Sequence, residues 1–327
     1  MKKTVLMGLI LLLIVGMLFA AGRGQREGEW APSRSVEWLV SWGPGGGSDI
    51  FVRSIADIIT RENLSSASFS VINNTEGGGN VVRMRTANAT GSIANHTLLS
   101  FVLGDMLGML ATTPLRMHNF RPLAIIAVDR HLLFVPRGSP LTSFHDVVAA
   151  IERGERLTTA GTMGDDEVNY QLLLEEMNWT RSQFAFVRYG STAEAITAAL
   201  GHHLSTVISK PAAAAPFVES GDLIPIAALS PERFGGNLAS APTLSELGFN
   251  NVYFPQWRGI IAPAAMSDEA AAYWVNVFKK VAETDAWRIG YLQRFMLDEA
   301  TIFGNDAVEF LAGQEEGILY GRYGLAP

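Results

Sequence analysis

Two glycine-rich runs, Gly43-Pro44-Gly45-Gly46-Gly47-Ser48-Asp49 and Asn73-Asn74-Thr75-Glu76-Gly77-Gly78-Gly79-Asn80, carry residue types suited to holding a small anion. Glycine lets a ligand approach the backbone, and its turns can aim successive N–H groups into one concavity. A helix that starts there adds unpaired N–H donors and the positive end of its dipole. Ser48 brings a hydroxyl, and Asp49 can accept from the loop or from water. These groups suit a carboxylate. Taken singly, the first run also fits an ordinary strand-to-helix turn with a capping serine, and the second a solvent loop. The pair favours binding, because two such loops at the carboxyl edge of one sheet converge on one crevice.

Two later runs repeat the chemistry, Gly161-Thr162-Met163-Gly164-Asp165 and Tyr189-Gly190-Ser191-Thr192. Thr162 can donate to a ligand, Gly164 and Asp165 can cap a helix, and Gly190 and Ser191 offer N–H and hydroxyl groups at a helix start. Tyr189 is placed to cover a ligand or to pack in the core. Trp42, beside the first glycine run, reads as a pocket wall, whereas Trp38 and Trp257 fit core or cleft wall equally. Nothing here calls for catalysis, a metal or a cofactor. Neither glycine run is a Walker A loop or a convincing dinucleotide fingerprint. Gly-x-Ser-x-Gly and Ser-x-x-Lys are absent from a supporting context. His202 and His203 are adjacent, so a regular strand would not face both to one metal, and cysteine is absent.

Such loops need elements to hold them. Val36–Val40 reads as a strand ending at the first glycine run. Phe51, Val52, Ile55, Ile58 and Ile59 recur at three- and four-residue spacing and predict a helix capped by Ser48. Residues 69–72 and 97–102 predict further strands, with a helix from Asn80 between them. That alternation predicts an α/β sheet layered with helices. Past a change of lobe near residues 128–130, strands are expected at 131–135, 157–160, 184–187, 204–208 and 223–229. Helices are expected at 144–151, from Asp165, and up to Leu200. The chain should return to the first lobe between residues 229 and 259, and its tail, from 268 to 281 and near Ala307, reads as mainly helical. Residues 33–127 then form the first part of one lobe, 128–228 the other lobe, and 229–327 the return and the rest of the first.

Length and composition fit this division. The 327 residues, 48% of them hydrophobic, can fill two cores, and a charged fraction of 17% argues against extensive disorder. The formal net charge of −7 disfavours nucleic acid. Lys2 and Lys3, the apolar run from Val5 to Ala21 and the small residues Ala20-Ala21-Gly22 form an export leader over residues 1–22. It is either cleaved or kept as an N-terminal inner-membrane anchor, since a run of about 18 apolar residues can span a bilayer. No later run has that apolar length, which excludes a polytopic permease. Without cysteine there is neither a disulfide scaffold nor an N-terminal lipid attachment, which fits the periplasm.

The order of these pieces resembles the substrate-binding component of tripartite tricarboxylate transporters, the TctC-like or Bug family. The resemblance rests on residues 33–40, the run Gly43 to Asp49, the run Asn74 to Asn80, Asn119-Phe120-Arg121-Pro122-Leu123-Ala124, residues 241–248, and Trp257-Arg258-Gly259-Ile260-Ile261-Ala262-Pro263. It implies a two-lobed periplasmic binding-protein fold of the second topological class, with the ligand cleft between lobes. It also implies carboxylate binding by Gly45, Gly46, Gly47, Ser48 and Asp49 with Gly77, Gly78, Gly79 and Asn80, and delivery to one large and one small integral membrane subunit. The alternative is a periplasmic sensor that presents the same closed state to a signalling receptor.

Departures from the family pattern concern the ligand. Asp165-Asp166-Glu167 stands where a hydroxyl residue and a histidine are common, Asn95-His96 replaces Asp-Gly, and Leu204-Ser205 replaces Val-Asp. Asp165 either caps the third helix, with Asp166 facing solvent, or points inward and pairs with a ligand ammonium. Like-charge repulsion then predicts a small monocarboxylate, amino acid or dicarboxylate in preference to citrate.

Overall fold

The computed structural model describes residues 30–250 and 252–319. Strands β1 (Val36–Val40), β2 (Phe69–Asn73), β3 (Thr97–Val102) and β4 (Phe120–Asp129) are short apolar runs punctuated by glycine, asparagine or proline. A single residue, Arg130, separates β4 from β5 (His131–Pro136), which opens a second series of β6 (Leu157–Thr162), β7 (Phe184–Tyr189), β8 (Thr206–Ser209) and β9 (Leu223–Leu229). The chain comes back in β10 (Gln256–Pro263) and β11 (Asp298–Phe303). Helices α1 (Gly47–Arg61), α2 (Asn80–Ala87), α3 (Leu103–Thr112), α4 (Phe144–Glu152), α5 (Asp165–Met177), α6 (Thr192–Leu200), α7 (Pro211–Glu219), α8 (Asp268–Glu283) and α9 (Asn305–Leu319) cover the sheets.

One sheet has the order β11-β4-β10-β3-β1-β2 and the other β7-β6-β8-β5-β9. In the first, β1 lies parallel between β2 and β3, and β10 runs antiparallel between β3 and β4. The second repeats the plan, with β6 parallel between β7 and β8, and β5 antiparallel between β8 and β9. Strand order thus reverses beside β1 and beside β6, and a crevice opens at the carboxyl ends of the strands flanking such a reversal. This is the two-lobed α/β arrangement of the second topological class.

Period-two alternation decides how each sheet is filled. Along β5, Leu132 and Phe134 join Ala160, Ile196 and Val207 on one face, while Leu133 and Val135 join Phe144, Leu173 and Phe184 on the other. The first sheet packs Leu99, Phe101, Met106 and Leu311 into one core. Trp38, Phe69, Trp274 and Phe278 form an aromatic cluster with ring centres 5.5–6.1 Å apart. Each fully buried apolar side chain of this size contributes about 1.5–3 kcal/mol, enough to hold the loops between the sheets on rigid supports.

Several elements differ from the sequence reading. Ser48 does not cap α1. The helix begins at Gly47 with Gly46 in the capping position and no side-chain cap. Asp49 does the bracing instead, accepting from the Gly45 N–H at 2.9 Å and from Arg53 Nε at 2.8 Å. The tail is helical at Asp268–Glu283 and Asn305–Leu319 as expected, and β11 adds an unforeseen strand between them at the edge of the first sheet. The leader expected over residues 1–22 lies outside the described residues. Among the described residues no helix is long and apolar enough to cross a membrane.

Candidate functional site

Five helices begin where parallel strands of the two sheets end: α1 after β1, α3 after β3, α5 after β6, α6 after β7 and α7 after β8. Their first residues and caps converge on a small cavity of about 20 Å³ between the lobes. Trp42, Gly46, Gly47, Ser48 and Val102 line it from the first lobe, with Gln256 and Arg258 of β10. Thr162, Asp165, Ser191, Thr192 and Lys210 line it from the second. Helix starts present unpaired N–H groups and partial positive charge, so their convergence favours an anion.

Glycines let the two walls meet. Gly43 N–H donates to Gly190 O across the cleft at 3.2 Å. A Cβ on Gly43 would lie 3.0 Å from Ser191 Cβ, and one on Gly164 would lie 2.4 Å from Gly104 Cα. The lobes are therefore closed on each other. The Ser191 hydroxyl caps α6 by accepting from Glu194 N–H at 3.2 Å.

Charge is concentrated behind the second wall. Lys210 Nζ is bonded to Asp165 Oδ2 and lies 2.6 Å from Asp166 Oδ1, with all three side chains buried. His131 Nε2 lies 2.7 Å from Asp165 Oδ2 and 3.2 Å from Asp166 Oδ1. Asn169 Nδ2 stands 3.2 Å from His131 Nδ1, which suits the tautomer whose Nε2–H donates to Asp165. His131, Asp165 and Asp166 bring one donor atom each within 4.8 Å of one another, a spacing that could hold a metal, but the Lys210 ammonium already bridges both carboxylates. Burial alone would lower the Lys210 pKa, yet Asp165 and Asp166 raise it above the ordinary lysine value.

A second buried pair lies on the first-lobe side. Arg258 Nη2 contacts Asp129 Oδ2, and both side chains are fully buried. Among the described residues, Arg258 Nε and Nη1 have no hydrogen-bond partner. Burial raises the Asp129 carboxyl above its usual range, although Arg258, Lys210 and His131 oppose that shift. The guanidinium lies against α1, where a Cβ on Gly47 would fall 2.3 Å from Nη2.

The structure thus brings seven of the expected residues to the cavity: Trp42, Gly46, Gly47, Ser48, Thr162, Asp165 and Ser191. Gly45, Asp49, Gly164 and Gly190 shape the lining loops without lining the cavity. The second glycine run stands further back. Gly77, Gly78 and Gly79 take left-handed φ of 60°, 65° and 83° in a turn before α2. That turn holds Arg83, whose Nη2 donates to Gly78 O at 2.5 Å and Asn80 Oδ1 at 2.8 Å. Arg83 Nη1 donates to Asp105 at 2.7 Å, and Asp105 accepts from Trp42 Nε1 at 3.3 Å. Gly77, Gly78, Gly79 and Asn80 therefore support the Trp42 wall.

Other expectations are corrected. Asp166 is fully buried, because the β6 end and Lys210 use its oxygens. The Thr162 hydroxyl donates to Asp166 Oδ2 at 2.7 Å. Tyr189 packs against the second-lobe core instead of covering the cavity. Trp38 and Trp257 are core residues. Lys210 and Arg258 were missed as site residues. A lone basic residue gives no spacing signal, although an arginine inside the apolar run of β10 was a visible anomaly.

A family model described as "Tripartite tricarboxylate transporter family receptor" matches residues 52–315. The UPF0065 protein in the gbd 5′ region of Cupriavidus necator is 25% identical over 313 residues, covering 94% of this chain and 93% of the relative. Protein BugT of Bordetella pertussis is 24% identical over 264 residues, covering 77% and 78%. Among solved structures, the periplasmic binding protein BugD matches with a TM-score of 0.77 at 17% identity, covering 90% of this chain and 99% of its own. A Rhodopseudomonas palustris protein with malate matches at 0.73 and 18%, covering 89% and 98%. An R. palustris protein with adipate matches at 0.77 and 21%, covering 90% and 99%.

Proposed function

Because the chain belongs to the tripartite tricarboxylate transporter receptor family, we propose that it captures a small organic carboxylate outside the inner membrane and delivers it to a permease of one large and one small membrane subunit. The observation that carries this reading is the convergence of five helix starts, Arg258 and Lys210 on one closed interlobe cavity. A ligand carboxylate at Gly46, Gly47 and Ser48 would face Ser191 and Thr192 from the other lobe, so one anion contacts both walls and favours closure. The malate and adipate held by two structural relatives belong to the same chemical class. The family model describes a receptor and BugD is a periplasmic binding protein, so the bound acid is expected to be recovered unchanged.

Cavity size narrows the ligand. The closed lobes leave only about 20 Å³ between them, room for about one water, so the cleft must reopen to admit any ligand. A short mono- or dicarboxylate demands less reopening than a branched tricarboxylate. A ligand ammonium paired with Asp165 is disfavoured, because Lys210 already supplies that cation. Calorimetry on the purified protein with two- to six-carbon mono-, di- and tricarboxylates tests the reading. Tight binding of a short acid, recovered unchanged, is expected, as is its uptake by vesicles carrying the cognate permease. Binding of none of the panel, or chemical turnover of the bound acid, would reject it.

A further inference from the structure

Arg258 is an unusual residue to find in the middle of a first-lobe sheet. It stands on β10 in the run Gln256-Trp257-Arg258-Gly259-Ile260-Ile261, whose other members are buried and mostly apolar. Its guanidinium is completely buried and contacts the Asp129 carboxylate, and among the described residues Nε and Nη1 have no partner. Burying charge-bearing donors without partners is costly, so a guanidinium kept in this state points to an acceptor supplied from outside the chain. The same guanidinium lines the interlobe cavity and touches the first turn of α1.

We propose that Arg258 is the ligand's carboxylate receptor, giving side-chain N–H donors to an oxygen pair seated at the start of α1, with Asp129 orienting the guanidinium from behind. This rests on the carboxylate-binding reading above and adds the residue that does the recognising. A planar guanidinium matches a carboxylate with two parallel N–H···O bonds, which an ammonium or backbone N–H groups alone do not reproduce. Lys210 is poorly suited to the role, since two aspartates already engage its ammonium. The ligand class that follows is a compact acid with at least one fully ionised carboxylate. Amides and esters of the same acid should be rejected, because they offer one acceptor where the guanidinium needs two and carry no charge.

The test compares ligand and protein changes together. Succinate and its diamide, succinamide, together with glutarate and its diamide, are titrated by calorimetry into the wild type, Arg258→Lys, Arg258→Gln and the double variant Asp129→Asn/Arg258→Gln. The double variant leaves no unpaired buried carboxylate, so it keeps the test valid if Arg258→Gln folds poorly. The wild type should prefer the diacid over its diamide, and Arg258→Gln or the double variant should bind the diacid about 10- to 100-fold more weakly, the range for a charged hydrogen bond. Their preference for diacid over diamide should shrink by a similar factor, and Arg258→Lys should recover only part of it. Diacid affinity and discrimination unchanged in the folded variants would overturn the assignment of Arg258 while leaving carboxylate binding intact. Equal loss for diacid and diamide would also overturn it, marking Arg258 as a structural brace. Failure of the wild type to bind any carboxylate would remove both readings.

Discussion

Asp166 is a buried anion whose charge is held by its neighbours. Its Oδ2 accepts from the Thr162 N–H and hydroxyl, each at 2.7 Å, and its Oδ1 lies 2.6 Å from Lys210 Nζ. Burial alone would raise its pKa, but Lys210 and His131 hold it well below the usual aspartate range. A folded pKa below the unfolded value means that the stabilisation is present above about pH 3.8 and is lost as pH falls through the folded value. Asp166→Asn keeps the shape and the Thr162 contacts while removing the charge opposite Lys210. It should cost about 1–3 kcal/mol at pH 7, the scale of a charged hydrogen bond. Denaturant melts at pH 7, 5 and 3 should show the gap to wild type narrowing at pH 3. A gap of constant size would mean that packing, rather than charge, sets the cost. The sequence marked Asp165 and Asp166 as unusual but left their partner unseen, because Lys210 is brought to them by β8, in another βα unit. Lys210 already supplies the cation at Asp165 that a ligand ammonium would bring.

At the scale of elements, the contact that matters most is between the start of α1 and β10. Helix propensity favours alanine over glycine by about 1 kcal/mol at Gly47, so a helix considered alone would gain from Gly47→Ala. The folded site predicts the opposite, because the new Cβ would fall 2.3 Å from Arg258 Nη2 and push the guanidinium off its position. We expect a net loss of about 1–3 kcal/mol from overpacking and at least tenfold weaker carboxylate binding, read by thermal melts and calorimetry. A stabilised variant with full affinity would show that Arg258 is not seated against α1. The same pair explains what the sequence could reveal. β1, β3 and β9 were legible to the residue because apolar runs end at turn residues, and α1 was legible from Phe51, Val52, Ile55, Ile58 and Ile59. β4 and β10 were quoted only as parts of motifs, since Arg121 and Pro122 in one and Arg258 and Gly259 in the other break the strand pattern. The acidic start of β11, Asp298-Glu299, resembles a helix start instead. Sequence also could not rank the two glycine runs. Both precede helices, but only the first reaches the cavity, because β1 lies inside the strand reversal and β2 at the sheet edge.

For the molecule as a whole, function depends on an equilibrium between lobes apart and lobes together. The chain passes directly from β4 to β5 through Arg130 and returns between β9 and β10. Arg130 spans the crossing, with its guanidinium 4.6 Å from the ring centre of Phe234 in the second-lobe core and Nε 3.3 Å from Asp298 in β11. Closure brings backbone against backbone at Gly104 and Gly164, where a Cβ on Gly164 would lie 2.4 Å from Gly104 Cα. Gly164 also has φ of +102°, so Gly164→Ala introduces local strain as well as an interlobe clash. The two effects separate. Strain acts whether the lobes are open or closed and lowers the melting temperature, whereas the clash acts only in the closed form and shifts the balance towards the open one. A ligand that needs the closed form then binds more weakly in proportion to the fraction of competent molecules. A closed-state penalty of about 1–3 kcal/mol corresponds to an affinity loss of roughly 5- to 150-fold. Small-angle scattering should show the wild type contracting on addition of the carboxylate it binds best, with the variant contracting only at much higher ligand concentration. Gly104→Ala supplies an independent check, because its backbone φ is ordinary and its new Cβ would meet Trp42 at 2.9 Å and Met163 O at 3.1 Å. If Gly164→Ala melts early but binds and contracts as the wild type does, the glycine contact serves folding, and closure must be limited elsewhere on the cleft.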